Sequence, residues 1–172
     1  MTKIQYHFDH VGSYLRPAKL KEAREQYAAG DLSHEDLLAI QDELVADLVK
    51  HQVESGLRVV SDGEFGRSWW HLDFLWNLTG FEAYQQEDSY KFHGAKTRTT
   101  NVRIVGKIAE NPNHPFYRDF SYLKSVTPEG VTPKVTIPSP SLVIKRDHRS
   151  DLALDHYETW KDYLDGLAKA YH

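Results

Sequence analysis

Between Ser33 and Gly63 the chain runs through a helical stripe, a glycine, a short apolar strand and a polar turn, and this order constrains the fold most. Ser33 followed by Asp36 is a capping-box-like helix start. Behind it, Leu37, Leu44 and Leu48 lie on one line of a helix, with Leu38, Val45, Val49 and Val53 beside them. Gly56 closes that helix, Leu57-Arg58-Val59-Val60-Ser61 reads as a strand, and Asp62-Gly63 ends it. A one-faced helix feeding a strand whose carboxyl end opens into a polar loop is the grammar of a βα barrel.

The rest of the chain repeats that grammar with one interruption. Residues 3–11 read as a short strand entering the Val11-Gly12-Ser13 turn. Pro17 suits the first turn of a helix running to about Ala29 and stopping at Gly30. Residues 67–78 read as an aromatic-rich helix. Phe81, Tyr84, Tyr90, Phe92, Val102, Ile104, Val105 and Ile108 predict a β-hairpin excursion around 80–110. A loop at 111–115 precedes a helix near 116–125, and Val135-Thr136-Ile137 then reads as a strand breaking into Pro138-Ser139-Pro140-Ser141. From Ser150 on, Leu154, Tyr157, Trp160, Leu164, Leu167 and Tyr171 recur at three and four residues, and this stripe is at full strength when the sequence stops. The expected fold is α/β: a single domain over 1–172 holding the first three to four βα units of a TIM (β/α)8 barrel. Such a barrel needs eight strands and about 250 residues.

Composition removes several function classes. The formal net charge is −4 and Lys and Arg are scattered, so no nucleic-acid or acidic-lipid footprint appears. No apolar run approaches the roughly 20 residues of a membrane span. There is no Cys, which excludes disulfides, thiolate metal ligands and a Cys nucleophile. A cytoplasmic protein is the expectation.

Ser61-Asp62-Gly63-Glu64 sets two carboxylates two residues apart at a strand end, both able to face one mouth, with Arg67 three residues on. A carboxylate there suits a substrate ammonium and an arginine a substrate carboxylate. Equally, Asp62 can cap the next helix while Glu64 pairs with Arg67. Val11-Gly12-Ser13, with Arg16 nearby, offers backbone N–H groups to an anion, or is simply a turn with a cap. His7 and His10, and His148 and Asp151, are three apart, but on a strand-turn that spacing does not share a face, and no H-E-x-x-H occurs. Trp69, Trp70, Trp76 and Trp160 read as core. The basic stretch Lys96–Arg103 reads as a solvated strand edge or a contact for an anionic tail.

In order, His10-Val11-Gly12-Ser13-Tyr14-Leu15-Arg16-Pro17, Ser61-Asp62-Gly63-Glu64-Phe65-Gly66-Arg67-Ser68-Trp69-Trp70, Val105-Gly106-Lys107-Ile108 and Lys134-Val135-Thr136-Ile137-Pro138-Ser139-Pro140-Ser141 resemble the catalytic domain of cobalamin-independent methionine synthase. They are closer still to its short methyltetrahydropteroyltriglutamate–homocysteine methyltransferase-like relatives. The resemblance implies a TIM barrel moving a methyl group from a folate to a zinc-bound homocysteine thiolate. It implies contact with the homocysteine amino-acid part at Val11, Gly12 and Ser13, and an amine grip by Glu64, with Asp62 where the family has histidine. Its folate-touching G-S-R-C segment has its nearest counterpart in Gly94-Ala95-Lys96-Thr97, giving Lys96 and Thr97 as cofactor contacts; I-P-S-P-S stands for its T-G-P. The family's zinc ligands lie on later strands, so the resemblance puts no metal on this chain. The expectation is therefore a chain inactive alone that holds the amine side of a methyltransferase site. Two alternatives stand beside it: an assembly module that self-associates or pairs through open barrel edges, and a thiol alkyltransferase with another donor.

Overall fold

A computed structural model describes residues 10–86, 91–92, 95–96, 98–146 and 155–172. In chain order the elements are α1 (Ala18–Ala29), α2 (His34–Glu54), β1 (Val59–Val60), α3 (Leu72–Leu75), β2 (Thr79–Gln85) and β3 (Lys91–Phe92). They continue with β4 (Ala95–Lys96), β5 (Thr100–Ala109), α4 (Pro115–Val126), β6 (Thr132–Pro133), α5 (Pro140–Arg146) and α6 (Trp160–Tyr171). The elements fall into two compact units. One takes the chain up to Arg67 with Phe116–Thr136, the other Ser68–Pro115 with Ile137–His172. Among the described residues strands pair only two at a time and close no barrel: β1 with β6 in parallel, β2 with β5 and β3 with β4 antiparallel. No described helix is long and apolar enough to cross a membrane. The strand expected over 3–11 lies outside the described residues except for His10 and Val11, neither of which is in a strand.

The first unit is organised by α2. Ser33 caps it, its hydroxyl accepting the Asp36 N–H at 3.0 Å while donating to the Asp36 carboxylate at 2.6 Å. Removing that cap as Ser33→Ala is expected to cost about 1 kcal/mol in urea unfolding; an unchanged midpoint would count against the cap. At the other end Gly56 N–H bonds the Val53 carbonyl and Leu57 N–H the Gln52 carbonyl, a Schellman closure. The most buried line of α2 is Gln41, Val45, Val49 and Gln52, with Leu37, Leu44, Leu48 and Val53 partly buried against it. Val45, Val49, Leu20, Val60, Phe65 and Leu123 form the core of this unit. At about 25 cal/mol per Å² of apolar surface removed from water, such residues supply most of the favourable free energy.

Gln52 holds the end of β1 on the edge that faces away from β6. Its side-chain amide donates to the Ser61 carbonyl at 2.8 Å and accepts the Ser61 N–H at 3.0 Å, so both backbone groups of Ser61 are satisfied without a neighbouring strand. The parallel pairing is held by Thr132 N–H on the Arg58 carbonyl and Lys134 N–H on the Val60 carbonyl. The partner strand is thus Thr132–Pro133, three residues before the expected Val135–Ile137. Beyond it the Thr136 carbonyl is taken by a side chain, Arg67.

In the second unit β2 and β5 form the hairpin, with a register irregularity between Thr79 and Phe81. Gly80 sits there at φ 88°, and a Cβ on it would lie 2.5 Å from the Lys107 carbonyl oxygen. Backbone cannot move aside as a side chain can, so only glycine fits this crossing. Helix α6 packs on β5 and starts at Thr159, whose hydroxyl accepts the Asp162 N–H. Its buried face is Tyr163, Leu167 and Ala170, whereas Trp160 and Leu164 of the expected stripe are each 38% exposed. Tyr157 is buried ahead of the helix, its hydroxyl accepting the Ile108 N–H at 2.5 Å. The helix expected over 67–78 shrinks to α3, and ahead of it the Asp73 carboxylate accepts the Ser68 and Trp69 N–H groups. None of the four tryptophans is fully buried, so the core reading does not hold for them. Trp69 is instead capped by the Arg98 guanidinium, 4.3 Å from its ring centre.

Candidate functional site

The turn after β1 places its carboxylates by backbone chemistry. Asp62 Oδ1 accepts the Glu64 N–H at 2.9 Å, an Asx-type turn, and Gly63 and Glu64 both have positive φ, at 65° and 59°. A left-handed conformation is uncommon for a residue with a Cβ and marks a position held by its surroundings. Here the surroundings are hydrogen bonds. Arg16 Nη2 donates to the Glu64 carbonyl at 3.2 Å and the Arg67 carbonyl at 2.8 Å. Arg24 donates to the Arg67 carbonyl at 3.1 Å and to the Phe65 carbonyl. Tyr14 N–H bonds the Gly63 carbonyl at 3.1 Å.

So arranged, the Glu64 side chain is 4% exposed as a residue and held at both oxygens. The Ser13 hydroxyl donates to Oε2, the Thr136 hydroxyl to Oε1 at 3.1 Å, and Arg67 Nη1 lies 3.5 Å from Oε1. Arg67, itself 2% exposed, also donates to the Thr136 carbonyl at 2.7 Å and stacks over Phe116 at 4.2 Å. A buried carboxylate tolerates loss of solvent only with such partners.

Asp62 and Asp119 form the other acidic side of this turn. Burial raises the Asp62 carboxyl above its usual range, against the stabilising Glu64 N–H and the nearby Arg67. Burial likewise raises Asp119, opposed by its bond to Arg118 and reinforced by the charge on Asp62. Asp119 accepts from Gln41 Nε2 at 3.2 Å and overhangs Gly66. A carboxyl raised in the folded state holds its proton more tightly there than in the unfolded chain. It therefore favours folding below its folded pKa, and this contribution is lost as pH rises through that pKa towards neutrality. Asp119→Asn is expected to make stability to urea depend less steeply on pH between mildly acid and neutral conditions. A slope equal to that of the parent chain would refute this.

Of the expected site residues, Ser13, Arg16, Asp62, Glu64 and Arg67 come together. Glu64 pairs with Arg67, as one of the two sequence readings has it. Asp62 is buried and committed to the turn through the Glu64 N–H rather than capping a helix or facing a mouth beside Glu64. Arg16 spends its guanidinium on carbonyls. Val11 and Gly12 are exposed, with His10 Nε2 bonded to the Gly12 carbonyl at 2.9 Å and stacked on Tyr14 at 3.8 Å. Lys96 belongs to the β3–β4 pair of the second unit, and Thr97, His7, His148 and Asp151 lie outside the described residues. Thr136, Arg24, Asp119 and Gln41 were not picked out by sequence. Thr136 stood in a recognised motif after a strand; the other three sit on helices distant in sequence and gave no signal. The chain has no Cys, and among the described residues no three of His, Asp and Glu stand together to hold a metal, so these residues do not fit the zinc centre the resemblance implies.

Residues 9–170 match the family described as the cobalamin-independent synthase, catalytic domain. The uncharacterized protein YxjH of Bacillus subtilis is 38% identical over 169 residues, covering 98% of this chain and 44% of that protein. The 5-methyltetrahydropteroyltriglutamate–homocysteine methyltransferase of Mesorhizobium japonicum is 30% identical over 129 residues, 74% of this chain and 16% of its own. A Listeria monocytogenes crystal structure, provisionally assigned as a vitamin-B12-independent methionine synthase, superposes with a TM-score of 0.66 at 31% identity, covering 94% of this chain and 49% of its own. The chain spans about half the length of YxjH and of the Listeria protein.

Proposed function

Because the chain belongs to the cobalamin-independent synthase catalytic-domain family, we propose that its first unit is the amino-acid-gripping wall of a site that methylates the thiol of homocysteine from a methyltetrahydrofolate. The observation that carries this reading is the Glu64 carboxylate, buried, ion-paired and oriented by two hydroxyls. A fixed carboxylate in a site of lowered dielectric binds an ammonium far better than one in water, because its orientation is set before the ligand arrives. Glu64, Ser13 and the exposed Val11–Gly12 turn then meet the amino acid, while Arg16, Asp62 and Arg67 hold the turn. Lys96 and Thr97 are the proposed folate contacts.

In this reading the parallel β1–β6 pair is two of the eight strands of a barrel, and the β2–β5 hairpin is an excursion from it. Residues 1–172 then act as a single domain, the N-terminal half of that barrel. The zinc-binding wall belongs to the half of the relatives' length that this chain does not span. The 172-residue chain, given zinc, methyltetrahydrofolate and homocysteine, is expected to form no methionine, yet to bind L-homocysteine and L-methionine in a Glu64-dependent way. Methionine formation would overturn the half-site reading, and absence of amino-acid binding would overturn the role of Glu64. A second reading, in which another polypeptide or copy completes the barrel, draws on the exposure of Trp160 and Leu164 on α6. Sedimentation of the chain as a stable monomer at all concentrations would remove it.

A further inference from the structure

We propose that Thr136 is a positioning residue of the amino-acid site: with Ser13 it clamps the Glu64 carboxylate in one rotation and leaves Oε2 as the oxygen that meets a ligand's ammonium. This rests on the reading of Glu64 given above. A carboxylate oxygen has two lone-pair directions. Oε1 faces two donors, the Thr136 hydroxyl at 3.1 Å and Arg67 Nη1 at 3.5 Å. Oε2 takes the Ser13 hydroxyl, its one hydrogen bond among the described residues. The two oxygens also differ in surroundings. Arg67 is buried, whereas Ser13 is an exposed residue beside the Val11–Gly12 turn. In this proposal the ligand's ammonium comes from the Ser13 side, towards Oε2.

Thr136 is itself fixed, because the guanidinium nitrogen that approaches Oε1 also binds the Thr136 carbonyl at 2.7 Å. Glu64, Arg67 and Thr136 thereby close a ring of contacts, in which the Thr136 hydroxyl supplies direction rather than charge. The terminal torsion of a glutamate is broad and weakly preferred on its own. Without Oγ1 the carboxylate keeps Arg67 and Ser13 but loses one of the three contacts that set its rotation, so Oε2 points less consistently towards an ammonium.

Thr136→Val preserves the β-branched shape and the carbonyl that Arg67 uses, and Thr136→Ser returns the hydroxyl. L-methionine binding to the 172-residue chain is expected to weaken about tenfold in T136V, the worth of one directed hydrogen bond to a charged group. T136S should restore it. Binding of the des-amino analogue 4-(methylthio)butanoate should be the same in all three, which a general loss of folding would not produce. Crystal structures of the parent chain and T136V, or T136A if T136V does not fold, read the clamp without any ligand: a rotated Glu64 carboxylate is expected. A carboxylate unmoved in the variant, or methionine binding unchanged by T136V, overturns the proposal. If the parent chain binds no amino acid, the proposed function fails, and the carboxylate rotation alone then decides for or against the clamp.

Discussion

Replacing Arg67 with Met lowers the unfolding free energy by about 3–5 kcal/mol, the usual consequence of removing one partner from a buried ion pair. Arg67 is 2% exposed and Glu64 4%, so solvent cannot step in for the lost cation. The same substitution removes the bond to the Thr136 carbonyl and the stacking over Phe116. Urea unfolding of the parent chain, R67M, E64Q and the double variant forms a cycle that isolates the pair. Much of the R67M loss should disappear in the E64Q background, where no charge is left stranded. A loss below about 1 kcal/mol in R67M, the scale of a surface pair, would mean that Glu64 is solvated and the site is not as closed as described.

Gly63→Ala is the second large effect, and its cause is steric rather than electrostatic. The new Cβ would fall 2.5 Å from Leu48 Cδ2 and 3.2 Å from Tyr14 Cβ, at a φ of 65°. The left-handed backbone costs an alanine roughly 1–2 kcal/mol, and forcing a methyl into packed surroundings adds about 1–3 kcal/mol. The total should be about 2–5 kcal/mol in urea unfolding. In a Leu48→Ala background the packing part should shrink and the backbone part remain. A G63A cost that is the same in both backgrounds would show that Leu48 is not the obstacle. Since Tyr14 N–H bonds the Gly63 carbonyl and Ser13 adjoins Tyr14, G63A should also weaken methionine binding more than its stability loss alone would do.

What could be read before any coordinates were those features whose cause is local. Ser33 and Asp36 cap α2 because a hydroxyl three residues before an amide can reach it whatever else the chain does. The Pro17 start and Gly30 stop of α1 and the apolar stripe of α2 have the same short-range origin. The β2–β5 hairpin was visible as a change of period. The features that differ are set by side chains that take backbone groups. Asp73 gathers the Ser68 and Trp69 N–H groups into a turn ahead of α3, and Gln52 occupies Ser61 at the end of β1. Neither side chain looks different in sequence from an ordinary surface residue.

The same division runs through the turn from Ser61 to Arg67. Sequence by itself determined that two carboxylates and an arginine follow a short strand, that glycine permits the turn, that the chain has no thiolate to offer a metal, and which family it resembles. Tertiary structure alone decided that Asp62 serves the turn, that Arg16 and Arg24 hold its carbonyls, and that Glu64 is gripped by Ser13 and Thr136, residues 51 and 72 positions away. The physical reason is range. Capping, turn geometry and periodicity act over a few residues and leave their mark in the order of the chain. The partner of a buried charge is whichever donor the fold brings within about 3 Å, and no spacing records that.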